Sequence, residues 1–197
     1  MKILAFSDLH MARARAEDIV AASRVADLVI GAGDFCNMRK GIAEAMGLLD
    51  GIEKPLVLVP GNNESLEELQ MAAPEGAHVL HGTSVEIVGV TIFGIGGGIP
   101  VTPFGAWSWD LTEDEAEEML QRSFGADVLV SHSPPKGIAD RTADGISVGS
   151  VAVRIAAEWV QPRLLLCGHI HDCWGEEGMI EETLVKNLGP TVNWFEV

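Results

Sequence analysis

A chain of 197 residues is long enough to bury a sizeable core, and 1–197 is expected to fold as one domain. With 29 acidic residues against 13 Lys and Arg, its net charge of −16 repels nucleic-acid backbones and argues against an extended nucleic-acid face. The sequence has no run apolar enough for a membrane span, no signal-peptide pattern in Met1–His10, and no disulfide framework among Cys36, Cys167 and Cys173, which together point to a cytoplasmic protein with free thiols.

Lys2–Phe6 reads as a buried strand ending at Ser7-Asp8-Leu9-His10, followed by an Ala- and Arg-rich helix over Ala12–Ala26. Asp27–Ile30 is the next strand, broken by Gly31-Ala32-Gly33-Asp34, and a helix is expected around Lys40–Leu49. Leu56–Val59 is a strand that stops at Pro60-Gly61. A helix then starts from Asn63 and runs to Met71, with Glu64, Glu67 and Glu68 near its positive end. Short strands at Val79–Leu80, Ser84–Val88 and Thr91–Ile95 suggest a hairpin or meander, and Gly94–Pro103 is too rich in Gly and Pro for a regular element.

The strand–turn–helix order then returns. Thr112–Phe124 is an acidic helix and Asp127–Val130 a strand ending in Ser131-His132-Ser133. Val148–Trp159 is a helix, Arg163–Leu166 a strand ending in Gly168-His169-Ile170-His171, and Glu182–Lys186 and Val192–Val197 finish the sheets. This alternation is the mark of an α/β fold.

Five strands therefore end in a turn that carries a polar ligand type: Asp8 with His10, Asp34, Asn62, His132, and His169 with His171. Open α/β folds build their sites at strand ends, because the loops there converge. The chain has only 6 histidines, and all but His78 and His81 sit in these turns, so chance placement is a poor explanation. Carboxylate and neutral imidazole suit Mn²⁺, Fe²⁺, Ni²⁺ or Zn²⁺, whereas the amide oxygen of Asn62 is a weaker, hard ligand. Strand-like alternation in Asp8-Leu9-His10 would turn both polar side chains one way and Leu9 into the core. Glycines before Asp34, Asn62 and His169 would let backbone approach the site closely.

In this order Asp8-x-His10, Gly33-Asp34, Gly61-Asn62-Asn63, His132 and Gly168-His169-x-His171 resemble the motifs of the calcineurin-like metallophosphoesterase family, over most of the chain. The resemblance implies a four-layer α/β/β/α sandwich with two packed mixed sheets. It also implies two divalent metal ions, Mn²⁺ being favoured. Asp8, His10, Asp34 and His171 would hold one ion; Asp34, Asn62, His132 and His169 would hold the other, with Asp34 as the bridge. The expected reaction is attack of metal-activated hydroxide on a small phosphorylated substrate.

One position departs from the family pattern. Many members carry histidine after the motif asparagine, where this chain has Asn63. An amide is no general acid near neutral pH, although it can donate a hydrogen bond to a phosphoryl oxygen. Asp34 and Asn63 are thus the candidate catalytic residues. The resemblance is to the small bacterial and archaeal phosphodiesterase branch, and a phosphodiester is preferred. A phosphomonoesterase, a pyrophosphatase and a non-catalytic metal-binding scaffold are the competing readings. Lys136, Arg141 and Arg154 are expected in salt bridges rather than on phosphate, and His81 in a surface turn. Phe104, Trp107 and Trp109 suit stacking on an aromatic or nucleoside group, core packing, or contact within a homo-oligomer.

Overall fold

A computed structural model describes residues 1–197. In its first half, β1 (Lys2–Phe6), β2 (Leu28–Gly31), β3 (Leu56–Leu58) and β4 (His78–Val79) alternate with α1 (Arg13–Ser23), α2 (Ile42–Gly47) and α3 (Leu66–Ala72). The second half contains β5 (Thr83–Ile87), β6 (Val90–Ile95), α4 (Glu113–Leu120), β7 (Val128–Ser131), α5 (Val151–Val160), β8 (Leu164–Cys167), β9 (Glu177–Ile180) and β10 (Thr183–Asn187). The last strand, β11 (Asn193–Glu196), returns to the first half and pairs antiparallel with β1.

Two mixed sheets result. The first runs β11-β1-β2-β3-β4 and the second β5-β6-β7-β8-β10-β9, each with parallel pairs inside and antiparallel pairing at an edge. The expected hairpin is β5–β6, in which Ile87 faces Val90.

Alternation along each strand divides the apolar residues among three cores. Ile3, Ala5, Leu28 and Ile30 point toward the second sheet and join Ile92, Val128, Val130 and Leu166. Leu4, Phe6 and Val29 point the other way, onto Ala16 and Ile19 of α1 and Ala45 and Met46 of α2. On the far side, Leu129 and Leu165 pack against Ala116 and Leu120 of α4 and Ala152 and Ala156 of α5. The layers are therefore helix, sheet, sheet, helix. Because both faces of each sheet are covered, the inner strands are apolar without a break. Burial of a single side chain such as Ile30 contributes about 1.5–3 kcal/mol.

Two expectations need correction, and one strand is unforeseen. The helix after Pro60-Gly61 begins at Leu66, not Asn63, because Ser65 caps it by accepting from the Glu68 N–H while Glu68 reaches back to the Ser65 N–H. The strand β9 is not expected from sequence; its Glu-Gly-Met-Ile run has little strand character and is held by pairing with β10. Lys136 and Arg141 bond the carbonyls of Ser147 and Gly145 rather than carboxylates, and only Arg154 pairs as expected, with Glu158.

Candidate metal centre

The turns after β1, β2, β3, β7 and β8 meet at one end of the two sheets. Backbone bonds carry the strand pairing into them: Ala32 donates to the Phe6 carbonyl, Asp8 to Gly33, His10 to Asp34, and Gly168 to His132. Asp8, His10, Asp34 and His169 all adopt positive φ, at 52°, 46°, 58° and 68°. Asp8 and His10 therefore share a side of the turn through left-handed backbone, and not through the strand alternation expected for them. Leu9 between them is fully buried, as expected. Positive φ in residues other than glycine stores strain that the surrounding bonds must hold.

Glycine is required at two of these crossings. A Cβ on Gly61 would strike the Asp34 side chain and backbone, and one on Gly168 would strike the Asp8 carboxylate and the Ser7 side chain. Replacement would push those carboxylates out of place.

The side chains converge in two groups. Asp8, His10, Asp34 and His171 each offer one ligand atom, all within 4.8 Å of one another, and Asp34, His132 and His169 do the same. Asp34 belongs to both groups. Its Oδ2 lies 3.6 Å from His10 Nε2, and its Oδ1 lies 3.4 Å from His132 Nε2. Asn62 Oδ1 adds a neutral oxygen 3.3 Å from His132 Nε2.

Hydrogen bonds fix which atom each side chain presents. His132 Nδ1 faces the Ala32 carbonyl at 2.8 Å and His10 Nδ1 faces the Cys36 carbonyl at 3.2 Å, so each Nδ1 carries a proton. The Nε2 atoms are left toward the centre, where those of His10 and His171 stand 3.2 Å apart. Asn62 Nδ2 donates to Ser108 Oγ at 2.9 Å, and Ser108 donates to Asp110 Oδ1 at 2.7 Å, which turns Asn62 Oδ1 inward. Converging imidazole lone pairs and two buried carboxylates fit divalent cations of the Mn²⁺ to Zn²⁺ series.

The electrostatics agree. Burial opposes ionisation of Asp34, but His132, His10 and His169 outweigh it and hold the carboxyl well below the usual range. Burial likewise opposes charge on Asp8, and His171, His132 and Ser7 together outweigh it and lower its pKa. His132 is buried too, yet Asp34 raises its pKa to about 9, so a cation binding there would displace a proton from its Nε2. Burial and the neighbouring His132 bring His169 down to about 4, so His169 stays neutral. The centre is thus a buried anionic site that attracts positive charge.

Several residues hold this arrangement in place. Asn63 donates from its backbone N–H to Asp34 Oδ1 at 2.8 Å and from Nδ2 to Asp34 Oδ2 at 2.7 Å, while its Oδ1 accepts from the Met38 N–H. Its amide is thus engaged with the central carboxylate. Glu64 is fully buried and accepts from the N–H groups of Asp34 (2.8 Å), Gly61 (2.7 Å) and Phe35 (3.1 Å). Burial and nearby Asp34 push its pKa up to about 7. Trp174 donates to Asp8 Oδ2 at 3.2 Å and packs on the His171 ring. Asn187 Nδ2 bonds the carbonyls of Gly168 and Ile170, both at 3.1 Å, and so fixes the backbone around His169.

The cleft above the centre has a volume of about 370 Å³ and is lined by His10, Asp34, Asn62, Asn63, His169 and His171, with Met38, Phe104 and Trp107 at its apolar side. Phe104 and Trp107 stack on each other, ring centres 5.6 Å apart, and Trp109 packs against His81 instead. His81 is no exposed turn residue: its Nδ1 accepts from the Gly96 N–H and secures the loop that carries these aromatics. Neither His78 nor His81 lines the cleft.

Sequence reasoning misses Glu64, Trp174, Ser108 and Asp110 as parts of the site. Only Glu64 carries a sequence signal. The pair Ser65 and Glu68 has the spacing of a capping box, which places Glu64 ahead of the helix and inside the turn.

A four-layer sandwich with a carboxylate and imidazole cluster at its strand ends defines a class of metal-binding α/β protein. The sequence profile of the calcineurin-like phosphoesterase family matches residues 1–173, and the chain belongs to that family of divalent-metal-dependent phosphoesterases. It is 30% identical over 145 residues to metallophosphoesterase domain-containing protein 1 of Homo sapiens and of Mus musculus. That match covers 71% of this chain but 42% of theirs, so the chain spans less than half the length of those relatives. Among solved structures, TT1561 of Thermus thermophilus superposes with a TM-score of 0.75 at 16% identity, covering 98% of this chain and 97% of that one. An archaeal phosphodiesterase superposes with a TM-score of 0.50 at 16% identity, covering 96% and 84%. At these identities the two superpositions speak for the fold.

Proposed function

We propose that the chain is a hydrolase of small phosphodiesters working through two divalent cations, Mn²⁺ being favoured and Fe²⁺, Ni²⁺ or Zn²⁺ able to replace it. Asp8, His10, Asp34 and His171 would hold one cation, and Asp34, Asn62, His132 and His169 the other. The observation that carries this reading is the position of Asp34, whose two oxygens face histidines of different groups. Bound there, the cations would supply Lewis acidity toward phosphoryl oxygens and would lower the pKa of a water.

The protein's own groups do the positioning. Asn63 keeps both Asp34 oxygens aligned, and the Ala32 and Cys36 carbonyls keep His132 and His10 in one tautomer. Ser108 holds the Asn62 amide so that its oxygen faces inward.

Two features of the cleft favour a diester. It has no Lys or Arg, so a singly charged diester suits it better than a doubly charged monoester. It also has no titratable side chain outside the proposed ligands, so the leaving oxygen takes its proton from solvent. This arrangement serves esters with acidic leaving groups best.

The test is turnover of paired aryl phosphodiester and monoester substrates by metal-stripped protein resupplied with each cation. Metal-dependent diester cleavage, reduced at least about 100-fold in Asp34→Ala and His169→Ala, is expected. Equal turnover by those variants, or none with any cation, would remove the proposal.

A further inference from the structure

Next to the metal centre is a second cavity of about 520 Å³, within the usual size range of a small-molecule site. One wall is the segment Ile99–Phe104 and the other is Val148 with Val151. Phe104 and His169 line both this chamber and the cleft, so the two are neighbours with shared walls.

The chamber is already built. The Ile99 N–H donates to Ser133 Oγ at 2.8 Å, and Thr102 donates from its N–H (2.9 Å) and Oγ1 (2.7 Å) to Asp110. Its charged side chains, Glu113 and Lys136, hold neighbouring backbone. Glu113 accepts from the Val151 and Ala152 N–H groups and from Ser150 Oγ, at 2.8–2.9 Å, where it closes the start of α5. Lys136 Nζ is anchored on the Ser147 carbonyl at 2.6 Å. The surface the chamber offers a ligand is mainly apolar, from Val101, Phe104, Val148 and Val151, with Thr142 and Ser147 among its polar residues. Val101 and Phe104 are 60% and 52% exposed, a large apolar exposure for two residues beside a polar cleft.

We infer that this chamber receives an uncharged alkyl or aryl arm of the phosphodiester, so that the site selects esters of apolar alcohols over polyhydroxylated ones. The inference rests on the phosphodiesterase reading and adds its substrate class. An arm leaving phosphorus in the cleft passes His169 and Phe104 and buries its carbons between the two walls.

The test uses binding, so that it does not depend on turnover. Mn²⁺-loaded protein is titrated calorimetrically with dimethyl-, methyl(butyl)- and methyl(octyl)phosphinate, which are singly charged diester mimics with no ester bond to cleave. A methyl(3,4-dihydroxybutyl)phosphinate is the polar control. Kd is expected to fall by up to about fourfold for each methylene until the chamber is full. The dihydroxy arm is expected to bind no tighter than methyl. Val148→Trp, which fills the chamber, should remove the gain with chain length, and its melting curve shows whether it is folded.

Phosphinate affinity independent of arm length, or tightest for the dihydroxy arm, would overturn the inference while leaving the metal centre intact. Failure of every phosphinate to bind, together with failure of Mn²⁺ to bind, would remove the underlying reading as well.

Discussion

Glu64 illustrates how one buried side chain sets the geometry of several others. Its carboxylate satisfies N–H groups from Gly61, Asp34, Phe35 and Cys36, and so joins the turn after β3 to the turn after β2. Glu64→Ala would leave those donors buried without an acceptor. At roughly 1–3 kcal/mol for a single orphaned group, the loss should be about 3 kcal/mol or more, read as a lower urea midpoint. The same variant should bind Mn²⁺ more weakly, because Asp34 loses the bond that fixes its backbone. An unchanged midpoint would mean that the two turns hold without Glu64. Asn63 acts on the same carboxylate from the other side, which gives the departure from the family's histidine a structural role. That role was not legible in the sequence, because the contact joins residues 29 apart and depends on how two turns meet.

Among the elements, the loop between β7 and α5 depends on one carboxylate. Asp140 Oδ2 accepts from the Gly137 N–H, the Gly149 N–H and Ser147 Oγ. Burial opposes its ionisation, but these donors outweigh burial and hold its pKa below the ordinary aspartate value of 3.8. A lowered folded pKa means stability that is complete above the unfolded value and lost as pH falls through the folded one. Asp140→Ala should therefore cost about 2 kcal/mol at pH 7, and the gap to wild type should narrow below pH 3.8. A gap that stays constant down to acid unfolding would contradict this account. The elements themselves were largely legible, since apolar runs between polar turns mark the inner strands of both sheets. What escaped was local chemistry overruled by neighbours. Glu177–Ile180 becomes a strand only beside β10, and the turn at Asp8–His10 takes left-handed backbone that periodicity does not encode.

For the whole molecule, the order of the motif residues was enough to anticipate which side chains would converge, and the four layers followed from the family resemblance. The supports behind those side chains were hidden, because Trp174, Ser108 and Asn187 reach the site across the fold. No helix is long and apolar enough to cross a membrane. The chain carries a net charge of −16 and folds with Asp8 and Asp34 almost fully buried. Cation binding should relieve that concentration of negative charge and stabilise the folded state by linkage, by about 2.7 kcal/mol at one hundred times Kd. Tm should therefore rise with Mn²⁺ in wild type and stay flat in Asp34→Ala; equal shifts in both would place the cations elsewhere.

The central claim is that two cation sites share Asp34, and metal stoichiometry at equilibrium tests it most directly. Dialysis against Mn²⁺ followed by elemental analysis should find two ions per wild-type chain. His171→Ala and His169→Ala should each retain one, and Asp34→Ala should lose tight binding at both. A single ion per wild-type chain, or two retained by Asp34→Ala, would contradict the shared-carboxylate centre.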